Sequence, residues 1–166
     1  TFLAVGTHNA DSWSNENVGV NSIMIGKDAG ASSTGTNYTM IGYQAGYEAT
    51  GCHNNNIIGY QAAYQSDDCS DNDIIGVRAG YEANDSQLNQ IIGSGAGIRL
   101  LNSVGNVILG TLAASGANSK NASVIIGYEA GKNSSSLGFY QVMIGSEAGQ
   151  DSINNRDVNF IGRQAG

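Results

Sequence analysis

The chain has 166 residues, 24 of them Gly and none Pro, and its seven Lys and Arg against 14 Asp and Glu leave a formal charge of −7. That balance excludes binding to a phosphate backbone, which needs clustered cations, so no nucleic-acid partner is expected. Glycine at this density excludes a helical bundle, because each Gly inside a helix costs about 1 kcal/mol relative to Ala, and no apolar run is long enough to cross a bilayer as a helix, so no membrane insertion is expected.

Residues 1–22 are irregular. They hold a degenerate motif, AVGTHNA at 4–10, the single Trp13, and a 20-residue step from Gly6 to Gly26. This segment reads as a degenerate first coil with an N-terminal cap. From residue 23 to 166 one motif returns: two apolar residues, Gly, two variable residues, then Ala-Gly or Ala-Ala. It reads MIGKDAG at 24–30, MIGYQAG at 40–46, IIGYQAA at 57–63, IIGVRAG at 74–80 and IIGSGAG at 91–97. It continues as ILGTLAA at 108–114, IIGYEAG at 125–131, MIGSEAG at 143–149 and FIGRQAG at 160–166. The anchoring glycines are spaced 16, 17, 17, 17, 17, 17, 18 and 17 residues apart.

A 17-residue unit is too short for a helix–turn–helix repeat of about 34 residues or a leucine-rich repeat of about 20–29. A β-solenoid coil fits. The Ile doublet favours a strand, the Gly after it supplies a bend, and Asn, Ser, Asp and Gly supply turns. The expected architecture is one all-β domain over 1–166, a parallel β-solenoid of about ten coils forming a rod roughly 45 Å long. Residues one period apart should then stack in register. Asn55, Asn72, Asn89 and Asn106 make a candidate Asn ladder. Tyr47, Tyr64 and Tyr81 make a candidate aromatic stack, and an Ala column from Ala29 to Ala165 marks a place too tight for a larger side chain. Neighbouring strand residues face opposite ways, so each Ile doublet makes both faces apolar. One face fills the coil. The other either turns inward after a bulge or is covered by another chain, and the second chain is the reading we favour.

The unit N-x-x-I-I-G-Y-x-A-G resembles the head repeats of trimeric autotransporter adhesins. It is closer to the G-Y-Q-A-G repeats of phage and bacterial tail-fibre proteins: GYQAG is literal at Gly42–Gly46, and GYQAA, GYEAG and GRQAG are near copies. The resemblance covers nearly the whole chain and implies a homotrimer of left-handed β-rolls. The adhesin units are usually slightly shorter than the 17 residues here.

Cys52 and Cys69 fall in one column of adjacent coils, at a separation that suits a disulfide, which favours an extracellular setting. His53 is adjacent, but no zinc-ligand spacing supports a metal, and no cofactor is expected. Asp67, Asp68, Asp71 and Asp73 lack a calcium-loop pattern and read as a solvated acidic turn. Neither His8 nor His53 lies in a nucleophile motif, the six-residue aliphatic period of acyltransferase helices is missing, and no Thr column suggests ice binding. The chain therefore reads as non-enzymatic. Tyr43, Tyr47, Tyr60, Tyr64 and Tyr81 cluster over three coils as a stabilising ladder or, if they face solvent, as a platform for cell-surface glycans. Asn37, Asn84, Asn121 and Asn133 begin N-x-S/T sequons, candidate sites for N-glycosylation. Leu100 and Leu101 stand where other coils place small or polar residues, as either an exposed contact patch or a local core expansion.

The motif runs to Gly166 without a visible cap, and open solenoid ends invite end-to-end pairing. The expected function is a self-assembling structural segment of an extracellular, cell-surface or virion fibre, as a homotrimer or a head-to-tail homopolymer. The alternatives are a carbohydrate-binding adhesin using the Tyr face, or a glycan-coated filament subunit.

Overall fold

The computed structural model describes residues 3–5, 21–118, 121–135, 140–153 and 157–166, with residues 3–5 as backbone alone. The Trp13 cap and His8 lie outside the described residues. Among the described residues there are twelve short strands: β1 (Leu3–Val5), β2 (Ile23–Ile25), β3 (Gly35–Thr36), β4 (Thr39–Ile41), β5 (Cys52–His53), β6 (Asn56–Ile58), β7 (Asp73–Ile75), β8 (Gln90–Ile92), β9 (Val107–Leu109), β10 (Val124–Ile126), β11 (Val142–Ile144) and β12 (Asn159–Ile161). Ten of them form one sheet in the order β1-β2-β4-β6-β7-β8-β9-β10-β11-β12. Every pairing is parallel and in register, so that Ile57 lies beside Ile74, Ile74 beside Ile91 and Ile91 beside Ile108. The chain is a parallel β-solenoid with no helix among the described residues and about eight turns, the eight strand-to-strand steps from β2 to β12. Parallel bridges such as His53–Ser70–Gln87–Val104–Asn121 continue the ladder on a second wall.

The coil is narrow. The middle residue of each strand points inward, from Met24 and Met40 through the Ile column to Met143, and all are buried. Facing them, the Ala column is also buried from Ala29 to Ala148. A third column holds Ser33, Ala49, Ser66, Ala83, Ala117 and Ser134, and Leu100 sits in it fully buried. Leu100 is thus a local core expansion, while Leu101 is half-buried beside it.

The outer residue of each Ile doublet does not turn inward. Ile75 and Ile92 stay on the outer face at 38% and 40% exposure, so the single chain leaves its second apolar face open.

Glycine ends each strand for a backbone reason. Gly59, Gly76, Gly93 and Gly110 have φ near +140°, a region costly for a side-chain-bearing residue. A Cβ at Gly76 would also sit within the carbonyl group of Gly93 in the next coil, and the same overlap recurs down the column to Gly145 against Gly162. The corners that follow are left-handed as well. Gln44, Gln61 and Arg78, and then Glu48, Gln65, Glu82 and Arg99, all have φ between 51° and 54°. Such conformations cost about 1–2 kcal/mol per residue. Each is held by a hydrogen bond to the preceding coil: the backbone N–H groups of Gln61 and Arg78 donate to the Tyr43 and Tyr60 carbonyls at 2.8 Å.

The two constraints on glycine separate at another position of the coil. Gly105 has φ +71°, and the nearest atom to an added Cβ there is 4.0 Å away. Gly76→Ala is therefore expected to cost more than about 4 kcal/mol, and Gly105→Ala about 1–2 kcal/mol from backbone strain alone. Urea unfolding followed by circular dichroism measures both, and equal losses would show that coil-to-coil contact is not what demands glycine.

Candidate functional site

The side chains that repeat most regularly fall into inner ladders, outer ladders and one outer stripe. Cys52 and Cys69 are disulfide-bonded between adjacent coils, with their Cα atoms 4.6 Å apart. Both are buried, and the next two coils place buried Ser86 and Ser103 at the same position. Ser86 Oγ donates to the Leu100 carbonyl of the next coil at 3.1 Å, and Ser103 Oγ donates locally to the Leu101 carbonyl at 2.9 Å.

Asn55, Asn72, Asn89 and Asn106 stack as a column and are about 1% exposed. Their contacts run mainly to backbone rather than from amide to amide. Asn72 Nδ2 donates to the Ser86 carbonyl at 2.8 Å, and its Oδ1 accepts the Asn89 N–H at 2.9 Å. Asn89 repeats the pattern on the Ser103 carbonyl and the Asn106 N–H. Only Asn106 adds a side-chain bond within the column, to Asn89 Oδ1 at 2.8 Å. The sequence pattern identified the column but not its burial, because Asn is ordinarily a surface or turn residue.

Tyr38 occupies the same column one coil before Asn55. It is 2% exposed, and its hydroxyl contacts the carbonyls of Thr34, at 2.8 Å, and Cys52. It thus performs the cross-coil bond that Asn55 makes to the Cys69 carbonyl. Sequence reasoning missed this role; the signal was its 17-residue offset from Asn55.

On the outside, Tyr47, Tyr64 and Tyr81 stack with centroids 5.0 and 5.1 Å apart and planes within 9° of parallel. Both faces of Tyr64 are therefore covered by its neighbours. The Arg78 guanidinium lies 5.7 Å from the Tyr81 ring centre, within cation–π range. Tyr43 and Tyr60 form a separate stacked pair at 5.3 Å. The Glu48 carboxylate beside Tyr47 raises its phenol pKa, and desolvation foremost raises that of Tyr64. Polar ladders flank the three rings. Arg78 Nε donates to Gln61 Oε1 and Gln61 to Gln44 on one side, and Gln65 donates to Glu48 and Arg99 to Glu82 on the other. Arg99 is 70% exposed, so this ion pair is held by geometry more than by energy.

The acidic turn is also laddered. Thr50 Oγ1 donates to Asp67, Asn54 Nδ2 to Asp71 at 3.0 Å and Asn56 Nδ2 to Asp73 at 2.7 Å. Among the described residues no three His, Cys, Asp or Glu side chains converge as metal ligands. His53 Nδ1 contacts Thr36 Oγ1 at 3.2 Å. Of the sequon asparagines, Asn37 and Asn133 are exposed and Asn84 and Asn121 half-buried. All four are engaged between coils: Asn84 Oδ1 accepts the Asp67 N–H and Asn121 Oδ1 the Val104 N–H, while Asn37 Nδ2 donates to Asn54 and Asn133 Nδ2 to Asp151.

An outer stripe runs along the ten-stranded sheet. In nine consecutive coils the residue before the anchoring glycine is Ile, or Leu at 109. All nine are half-buried or exposed, Ile75, Ile92 and Ile144 standing at 38%, 40% and 38%. Tyr43, Tyr60, Val77 and Tyr128 line one edge, all exposed. No protein-family model, curated protein or solved structure matches the chain.

Two outcomes follow from the inner ladders. Replacing both cysteines, Cys52→Ser with Cys69→Ser, should leave the fold intact, because Ser already fills that column in two coils. Losing the link across a 17-residue separation should cost about 3 kcal/mol, read by urea unfolding with and without reductant. The second concerns alkaline pH. Burial holds the Tyr38 phenol well above its ordinary value of 10.0, so the unfolded chain ionises first. Its contribution to stability is full below pH 10 and falls as pH rises beyond it. Unfolding free energies measured on either side of pH 10 should decline with pH in the wild type and decline less steeply in Tyr38→Phe.

Proposed function

We propose that this chain is a non-enzymatic structural segment of a fibre, a stiff β-solenoid that associates with further copies of itself. The observation that carries the reading is the nine-residue aliphatic stripe on the outer face of the ten-stranded sheet. Burying apolar area contributes about 25 cal/mol per Å², and a stripe along the full sheet is suited to a matching stripe on another copy. The resemblance to adhesin-head and tail-fibre repeats supports the same reading, with a trimer as the expected assembly and an extracellular, cell-surface or virion location. The disulfide accords with such an oxidising setting.

The adhesin reading has less support. A sugar ring stacks on an open aromatic face, and both faces of Tyr64 are taken by Tyr47 and Tyr81.

Light scattering on the native protein tests the assembly. The wild type is expected as a discrete oligomer, and Ile75→Lys with Ile92→Lys as a monomer with an unchanged circular-dichroism spectrum. A wild-type monomer across the accessible concentration range would remove the self-association reading.

A further inference from the structure

We propose that Tyr47, Tyr64 and Tyr81 are a site of oxidative cross-linking, at which stacked phenols of adjacent coils join as dityrosine within one chain. Three features of the ladder carry this. The rings repeat at 5.0 and 5.1 Å and lie within 9° of parallel, so each phenol is held against its reaction partner by the backbone ladder beneath it. The rings are only partly buried and stand on the outer surface, where an oxidant can reach them. The disulfide already joins two of the same coils, since Cys52 and Cys69 lie five residues beyond Tyr47 and Tyr64. A phenol link would repeat that bond outside the coil and extend it to a third turn.

The oxidant is hydrogen peroxide acting through a haem peroxidase. Each of two phenols loses one electron and one proton, giving a pair of phenoxyl radicals. Glu48 follows Tyr47 directly in the chain, and its negative charge beside the phenol raises the Tyr47 pKa; the proton each phenol loses passes to solvent. A carbon–carbon bond forms between the ring positions ortho to the two oxygens after the rings swing about their Cβ–Cγ bonds. The two ortho hydrogens then move to the oxygens and restore both phenols. The two electrons and two protons removed reduce one hydrogen peroxide to two waters. Stapling does not depend on whether the rod assembles, because both partners belong to one chain.

The experiment is peroxidase and limiting hydrogen peroxide on the whole protein, read by dityrosine fluorescence, denaturing electrophoresis and peptide mapping. The expected product runs as a single chain, is lighter by two hydrogen atoms per link, and joins Tyr47 to Tyr64 or Tyr64 to Tyr81. Tethered partners see an effective concentration on the order of mM, so the yield should not change when micromolar protein is diluted. Tyr64→Phe keeps a ring in the stack and should lose both links. Tyr47→Phe with Tyr81→Phe, which leaves Tyr64 without a phenol neighbour, should lose them equally, and circular dichroism checks the fold of each variant. Tyr128, whose column neighbours are Thr111 and Ser146, should enter no intramolecular link. Links between different chains, a yield that falls on dilution, or wild-type links that peptide mapping places only between Tyr43 and Tyr60, the other stacked pair, would each overturn the proposal.

Discussion

The carbonyl of one coil's anchoring glycine lies where the preceding glycine's Cβ would be, and the rest of the solenoid follows from that contact. Backbones can stack this closely only where no side chain intervenes. The contact holds each coil in line with the next, which is why strands pair in register along the whole sheet. It also forces a narrow cross-section. With strands of three residues and tight corners, the interior of most coils has room for one large aliphatic residue opposed by Ala, and Leu100 is a local exception. The corners demand left-handed backbone at residues such as Gln61 and Arg78, and that strain is offset by their hydrogen bonds to the preceding coil.

A narrow coil cannot be stabilised by apolar burial alone. Its interior contains backbone groups that the strands do not pair, and buried polar groups require partners. The Asn column supplies them, one amide both donating to a carbonyl and accepting an N–H of the next coil. Tyr38 shows how the scheme adapts. The coil from Gly26 to Gly42 is one residue short, and there a longer side chain reaches the Cys52 carbonyl in place of an amide. Gly35 lies against that hydroxyl and carbonyl, leaving no space for a Cβ. The Cys pair is another local variant, since the Ser that follows it in the column has nearly the same size and also finds a carbonyl.

The exterior divides by chemistry. One face carries the aliphatic stripe, whose residues have no packing role within their own coil beyond the half they bury. Another carries the Tyr ladder between rows of Gln, Glu and Arg, where neighbouring coils contact each other at every position. Under the proposed function the first is the surface through which copies associate, while the second ties neighbouring coils together along the axis.

The period, the parallel register, the Cys pairing and the Tyr and Asn columns were readable from the chain alone, because a solenoid converts a fixed sequence interval into spatial adjacency. Ile57 and Ile74 must meet if every coil has the same path. What the sequence could not determine was which way each column points. Asn55 and Asn54 are adjacent and chemically identical, yet one is a buried backbone partner and the other an exposed ladder residue. The left-handed corners at Gln61 and Arg78, the inward placement of Leu100 and the outward placement of Ile75 likewise depend on where the backbone turns. Those turns are set by contacts between coils, so tertiary structure decided them while local sequence preference did not.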